Sequence, residues 1–207
     1  MNTREKILDQ ARRLFNDRGL TTITMRHIAE ALGISLGNLT YHFQKREDLV
    51  MAIYQELVTK MNGVMEELMH EKSAFVQIHR GALRSMEMFY EYRFFLIDLV
   101  FIMRNYPEIQ RHYMRLQVQR EIQFLALFTQ LQKASWMRRA QIPMEYEHLY
   151  RRMQILGDYW ISSAVSLELD QTPDFIRRYH RIMMELIYPY LTEQGREAFE
   201  KLNTESV

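Results

Sequence analysis

The side chains whose types and spacing suggest chemistry gather between Thr24 and Arg46. Ser35, Leu36, Gly37, Asn38, Thr40, Tyr41 and His42 offer short polar, small and aromatic groups in quick succession. Arg26 stands before them, and Lys45 and Arg46 directly after. Such a set suits a polyanion with readable edges: cations and hydroxyls for phosphate oxygens, amides for base edges, apolar contacts for thymine methyls. A carboxylate within 35–42 would argue for a different partner, and there is none.

That chemistry needs two helices held at a fixed crossing, so that the second enters a major groove. The local signals supply them. Ile7, Leu8, Ala11, Leu14 and Phe15 line one face of a first helix, with Gly19 where a C-terminal glycine belongs. Thr24 is a good N-cap for a second, and Ile23 with Ile28 has the spacing of a hydrophobic staple. Gly33 ends it, Ser35 caps a third, and Ile34 with Leu39 repeats the staple. Ala29 is small where the two helices approach. A generic helical hairpin with a polar outer face shares some of these features, but not caps, staples and core positions together.

At these residues the chain resembles the N-terminal domain of the TetR/AcrR family of bacterial transcriptional regulators. The likeness runs over residues 3–55, about a quarter of the sequence. It is carried by Thr24-Met25-Arg26-His27-Ile28-Ala29, Leu32-Gly33-Ile34-Ser35, Gly37-Asn38-Leu39-Thr40-Tyr41-His42-Phe43 and Glu47-Asp48-Leu49. The resemblance implies a dimer on a palindromic double-stranded DNA operator, usually repressing, and a helical body that binds a small effector. It further implies that Thr24 and Arg26 meet DNA from the second helix, and that 35–38 and 40–42 face groove and backbone. Arg46 takes a phosphate-binding place often held by Lys. Two departures touch the base-reading details: Thr40 stands where the family commonly has Tyr or Phe, and Lys45 where a small cap is usual.

Past residue 46 helical periodicity continues to about 190, giving an all-α chain of three short helices and about six longer ones. The expected organisation is a DNA-binding head over 1–46, an effector-binding and dimerisation body over 47–202, and a frayed tail over 203–207. Leu49, Ile53, Leu57, Met61, Val64, Met65 and Leu68 mark a long helix. Asn105-Tyr106-Pro107-Glu108 reads as an N-cap, an early proline and a capping-box acid, Ile142-Pro143 as a break, and Thr172-Pro173-Asp174 as another helix start.

Fifteen methionines and 12% aromatic residues give this body an accommodating interior. Phe89, Tyr92, Phe95, Leu96, Leu99, Met103, Tyr113, Leu116, Phe124 and Trp160 are the candidate lining of an apolar effector pocket; the same stripes equally read as plain core. Gly157, Ile161, Ala164, Tyr179, Met183, Leu186 and Ile187 are the candidate dimer face, since in the family the last two long helices pair with their twins. An intramolecular role for some of them stays open.

The rest excludes more than it asserts. Seven glycines and four prolines in 207 residues are few for a sandwich or barrel. With no cysteine there is no disulfide, zinc-thiolate site or thiol nucleophile, and a reducing bacterial cytoplasm fits, at the nucleoid through DNA. No run approaches the roughly 18 apolar residues of a membrane span. The net charge of +1 makes any nucleic-acid footprint local. Segment 104–139 carries seven Arg and Lys against two Glu, a solvated face or a place for an anionic effector. The seven histidines lack metal spacing and read mostly as surface residues, so no cofactor or metal is expected. Rival readings are a helical carrier or adaptor dimer and an all-α enzyme on a lipophilic substrate; no acid/base pair stands out for the latter.

Overall fold

The computed structural model describes residues 2–167 and 174–205, with side chains through 202. Eleven α-helices are found among them: α1 Thr3–Arg18, α2 Met25–Leu32, α3 Leu36–His42, α4 Arg46–Met69, α5 Ala74–Glu91, α6 Arg93–Ile97, α7 Leu99–Asn105, α8 Pro107–Lys133, α9 Glu145–Leu167, α10 Phe175–Glu185 and α11 Glu193–Glu205. A single 3-10 turn, Tyr188–Tyr190, joins the last two.

The head forms as its local chemistry dictates. Asn2 and Glu5 cap α1 reciprocally, and Thr24 Oγ1 accepts from His27 N at the start of α2. Gly33 adopts the left-handed conformation (φ 65°) that ends α2 without a Cβ penalty, and Ser35 Oγ accepts from Asn38 N 3.1 Å away. Ile7, Phe15, Ile28, Ala29, Leu39 and Phe43 close the interior. That interior continues into the body. Leu49, Val50 and Ile53 of α4, Phe94 and Phe95 of α6, and Ile161 of α9 belong to the same buried cluster.

Contacts with the head shape the helix boundaries of the aromatic segment. The aromatic segment from Phe89 to Met103 is not one helix but the end of α5, then α6 and α7, with breaks at Tyr92 and Asp98. Head groups capture the backbone there. Asn16 Nδ2 and Arg12 Nη1 donate to the Glu91 carbonyl at 2.8 and 3.1 Å, while Asn16 Oδ1 accepts from Phe94 N at 3.0 Å. Asp98 Oδ2 in turn accepts from Leu20 N at 2.9 Å. At Tyr92 bonds across the joint replace bonds along the helix. At Asp98 the main chain keeps its bonds to Phe94 and Ile102, and only the side chain reaches the head. Asn105 ends α7 with its amide on the Phe101 carbonyl, so Tyr106 occupies the N-cap position of α8 and Pro107 its first turn.

A second buried cluster ties α5, α8, α9, α10 and α11 together through Phe75, Ile78, Phe128, Leu149, Met184 and Ile187. Helix α11 is held on it by Phe199, whose ring lies 6.0 Å from Phe75 and 5.4 Å from Tyr188. The chain is therefore helical to Glu205 rather than frayed from 203. Of the expected start at Thr172-Pro173-Asp174, the first two residues lie outside the described ones; Asp174 precedes α10 without a side-chain cap.

Candidate functional site

Helices α2 and α3 cross beneath an exposed polar face. Thr24, Arg26, Ser35, Gly37, Asn38 and Lys45 are exposed, Leu36 is 39% exposed, and Tyr41 stands out at 84%. Nothing in the fold requires a tyrosine to be so bare. Thr40 and His42 are half-buried, and the Thr40 hydroxyl donates to the Gly37 carbonyl at 3.1 Å, so it is spent within its own helix. His42 lies edge-on to Tyr41, ring centres 5.3 Å apart.

Arg46 is a correction. Its guanidinium donates to the Leu20 carbonyl and lies 6.0 Å from the Phe15 ring centre, and its Nε is buried without a partner. A carbonyl just past α1 and an aromatic face hold this half-buried guanidinium, so a phosphate would have to compete with them for its donors. The remaining cations beside the face are Arg26 and Lys45, and Arg4, stacked 4.9 Å over Phe43, is one the sequence reading missed.

The body encloses a cavity of about 420 Å³ between α4, α5, α8 and α9, closed at one side by Met183 of α10. Six of the expected residues line it: Phe89, Phe95, Tyr113, Leu116, Phe124 and Trp160. Tyr92, Leu96, Leu99 and Met103 do not. Tyr92 points toward α4, with its hydroxyl on Glu56 (2.7 Å) and Lys60 over its ring; the other three pack in the first cluster. Leu96 lies on α6, and Leu99 and Met103 lie on α7, which packs against α8 outside the cavity wall. The sequence reading missed the α4 and α5 wall, Leu57, Met61, Met65 and Met86, because a methionine stripe reads as core until a void is found beside it.

Polar groups on this wall are few. Tyr113 donates to Asp158 Oδ1 at 2.5 Å, and Gln154 Nε2 also donates to Asp158. Burial raises the Asp158 carboxyl above its ordinary range and also raises Tyr113, which the adjacent Asp158 pushes further. Tyr54, stacked on Phe95 at 5.3 Å and bonded to His112 Nδ1 at 2.8 Å, is pushed up to about 12 by burial. Arg120 reaches the same wall, and the Trp160 indole N–H is buried with no partner.

The expected dimer face is likewise a correction. Ile161, Ala164, Tyr179, Met183 and Ile187 are buried within one chain, and Leu186 is half-buried against the second cluster. Gly157 lines the cavity, 3.6 Å from Met183 Cε at the position a Cβ would take. Helix α10 spends its apolar stripe on α5 and α9 of its own chain, as half of the two-face alternative had allowed. The apolar groups left outside on α9 and α10 are Ile155, Tyr159, Val165, Leu167 and Ile182.

Two histidines depart from the surface reading. His79 and His180 are buried with rings 4.5 Å apart, and His180 Nε2 donates to the His79 carbonyl at 2.9 Å. Among the described residues no group of three acids, histidines or cysteines could hold a metal, and no helix is long and apolar enough to cross a membrane.

An exposed, capped two-helix reader joined to a cavity-bearing helical body is the arrangement of a helix-turn-helix DNA-binding regulator, and the comparisons agree. Residues 7–53 match the family model described as bacterial regulatory proteins of the tetR family, and 54–199 that of a bacterial transcriptional repressor, TetR. The chain belongs to the tetR family and is a DNA-binding transcriptional regulator. It is 29% identical over 163 residues to the HTH-type transcriptional repressor AcnR of Corynebacterium efficiens, covering 78% of this chain and 81% of that one. A solved TetR-family regulator from Marinobacter aquaeolei VT8 superposes with a TM-score of 0.87 at 25% identity, over 99% and 98% of the two chains. The ketosteroid regulator KstR2 of Mycobacterium tuberculosis shares the fold, with a TM-score of 0.72 at 15% identity over 93% and 96%.

Proposed function

We propose that this chain is a homodimeric repressor of a palindromic operator, read by Arg26, Asn38, Tyr41 and their exposed neighbours and released by a lipophilic effector in the body cavity. We read it as a switch: the matching families are transcriptional regulators, and the cavity's one carboxylate is engaged by Tyr113 and Gln154. Two-fold pairing falls to the outward apolar groups of α9 and α10, Ile155, Tyr159 and Ile182 foremost.

One observation carries the switching part. The cavity wall and the head joint are the same few residues of chain. Phe89 and Phe95 line the cavity, and between them lie the Glu91 carbonyl and Phe94 amide that Arg12 and Asn16 of α1 hold. A ligand that re-aims Phe89 or Phe95 moves the anchor of α1, and α3 rides on α1 through the shared core. It shifts the equilibrium only by its differential affinity for the two arrangements, and operator and ligand then weaken each other by the same factor.

Calorimetric titration of lipophilic and aromatic compounds into free and operator-bound protein tests this. Tenfold tighter binding to the free form is the expected outcome; equal affinity for both forms would sink the switch. Selection from random DNA is expected to return inverted repeats with half-sites roughly 34–36 Å apart, whereas a lone asymmetric half-site would sink the dimer.

A further inference from the structure

The cavity holds an imbalance of charge. Arg120, on the face of α8 that carries Tyr113, Leu116, Phe124 and Leu127, is the one cation among the described lining residues. Its only hydrogen bond among the described residues is from Nη1 to the Gln123 amide oxygen, 3.0 Å away. No described carboxylate pairs with it: the neighbouring Glu121 lies 4.0 Å from Arg151 instead. Burial makes the charged guanidinium less favourable than in water, and no acid offsets that cost. An arginine cannot escape by losing its proton, as a buried lysine or histidine can. The wall therefore keeps a fixed positive charge with donors to spare.

The one acid on the same wall is differently placed. Asp158 already accepts from Tyr113 and Gln154, and burial favours its neutral form. Its oxygens are already engaged by these two donors, which leaves it less open to an amine than Arg120 is to an acid. The rest of the lining carries no charge: neutral amides such as Gln117, Gln123 and Gln130 share it with apolar Met61, Met65, Met86, Phe124 and Leu127.

We infer that the effector is an amphipathic carboxylate, an apolar chain or ring body ending in one acid group that pairs with Arg120. This rests on the cavity being the effector site and adds the class of molecule it takes. The planar guanidinium matches a carboxylate with two parallel hydrogen bonds, so one arginine suffices for one such head. A multiply charged phosphate would call for further cations, and the described lining offers none. From Arg120 the body runs along α8 past Leu116 toward Tyr113, seven residues or about 10 Å, into the aromatic end formed with Phe95 and Trp160.

The experiment uses three ten-carbon probes that differ in head group: decanoate, decanol and decyltrimethylammonium. Each is titrated calorimetrically into the full-length protein, with Trp fluorescence as a second readout, and into Arg120→Gln and Arg120→Lys. Decanoate is expected to bind at least tenfold more tightly than the other two. Arg120→Gln erases that preference, and Arg120→Lys restores part of it. Thermal melting checks that the variants fold; if Arg120→Gln does not, the wild-type head-group series and Arg120→Lys decide. Equal affinities for the three probes, or an undiminished decanoate preference in Arg120→Gln, would overturn the carboxylate while leaving the cavity as effector site. Preference for the ammonium probe would overturn it in favour of Asp158. If no probe binds in any form, the cavity reading falls and the carboxylate with it.

Discussion

On α3, the side chains that matter stand in water on a rigid support; on the inner face of α8, they surround a space that the protein itself does not fill. The reading face is backed by Leu39 and Phe43, both buried, and its entry is set by Gly33, which ends α2, and Ser35, which caps α3. Its shape is fixed before any partner arrives, so binding there costs little ordering. The cavity is walled by flexible methionines, an unpartnered indole N–H and an unpaired arginine. There the folded chain leaves interactions unmade, and a ligand completes them. One region is fixed by its packing, while the other has room to repack, and the proposed coupling needs both.

The widest separation between the regions is expected from core truncation. Leu39→Ala should cost about 2–5 kcal/mol of stability because the head cannot collapse around the lost side chain. Met65→Ala, on a wall already bordering a void, should cost under about 2 kcal/mol while changing ligand affinity. Chemical denaturation of both variants checks the contrast, and equal losses would break it.

Acid probes the body through His180. Burial, and next to it the neighbouring His79, depress the His180 pKa to about 4. Between its ordinary value near 6.5 and about 4 the unfolded chain binds a proton that the folded chain refuses, so stability is lost as pH falls through that window. The loss approaches about 3 kcal/mol, a shift of some 2.5 pH units at about 1.4 kcal/mol each. Melting temperatures from pH 7 to pH 5 should fall in the native protein and flatten in His180→Gln; a parallel decline in both would remove His180 from the explanation.

A smaller effect separates recognition from stability. Asn38→Ala should weaken operator binding by about 1–3 kcal/mol and relax choice at one base position, while leaving the melting temperature nearly unchanged. Equal losses on specific and random duplexes would show that Asn38 contacts only the backbone. The least effect, about 1 kcal/mol of stability, is expected from Ser35→Ala, which removes the cap without touching the core. Loss of DNA binding beyond that amount would mean that Ser35 also touches the duplex.

The two regions also differ in what their sequence discloses. The head is written in local terms. Caps, staples and glycine stops lie within a few residues of what they control, so α1 to α3 end where the spacing says. Arg46 escaped because its partner, the Leu20 carbonyl, is 26 residues away. In the body the decisive contacts are all of that kind. Asn16 breaks the Phe89–Met103 segment near Tyr92 from some 75 residues off, and the stripe on α10 is consumed by α5, about 100 residues earlier. Void and core are lined by the same residue types, so no pattern separates Phe95, on the cavity, from Leu96, in the packed interior.

Asn16 has a consequence for how such molecules could be recombined. Its amide gives a hydrogen to the Glu91 carbonyl and its carbonyl takes one from the Phe94 amide, so it grips main chain and not side chain. Side chains at 91 and 94 could drift, in nature or in a chimera, without erasing that attachment. A graft that brings a foreign head onto this body should couple to it whenever residue 16 offers both a donor and an acceptor. Asn16→Asp, the same shape without the donor, would leave the two parts folded and attached but poorly geared.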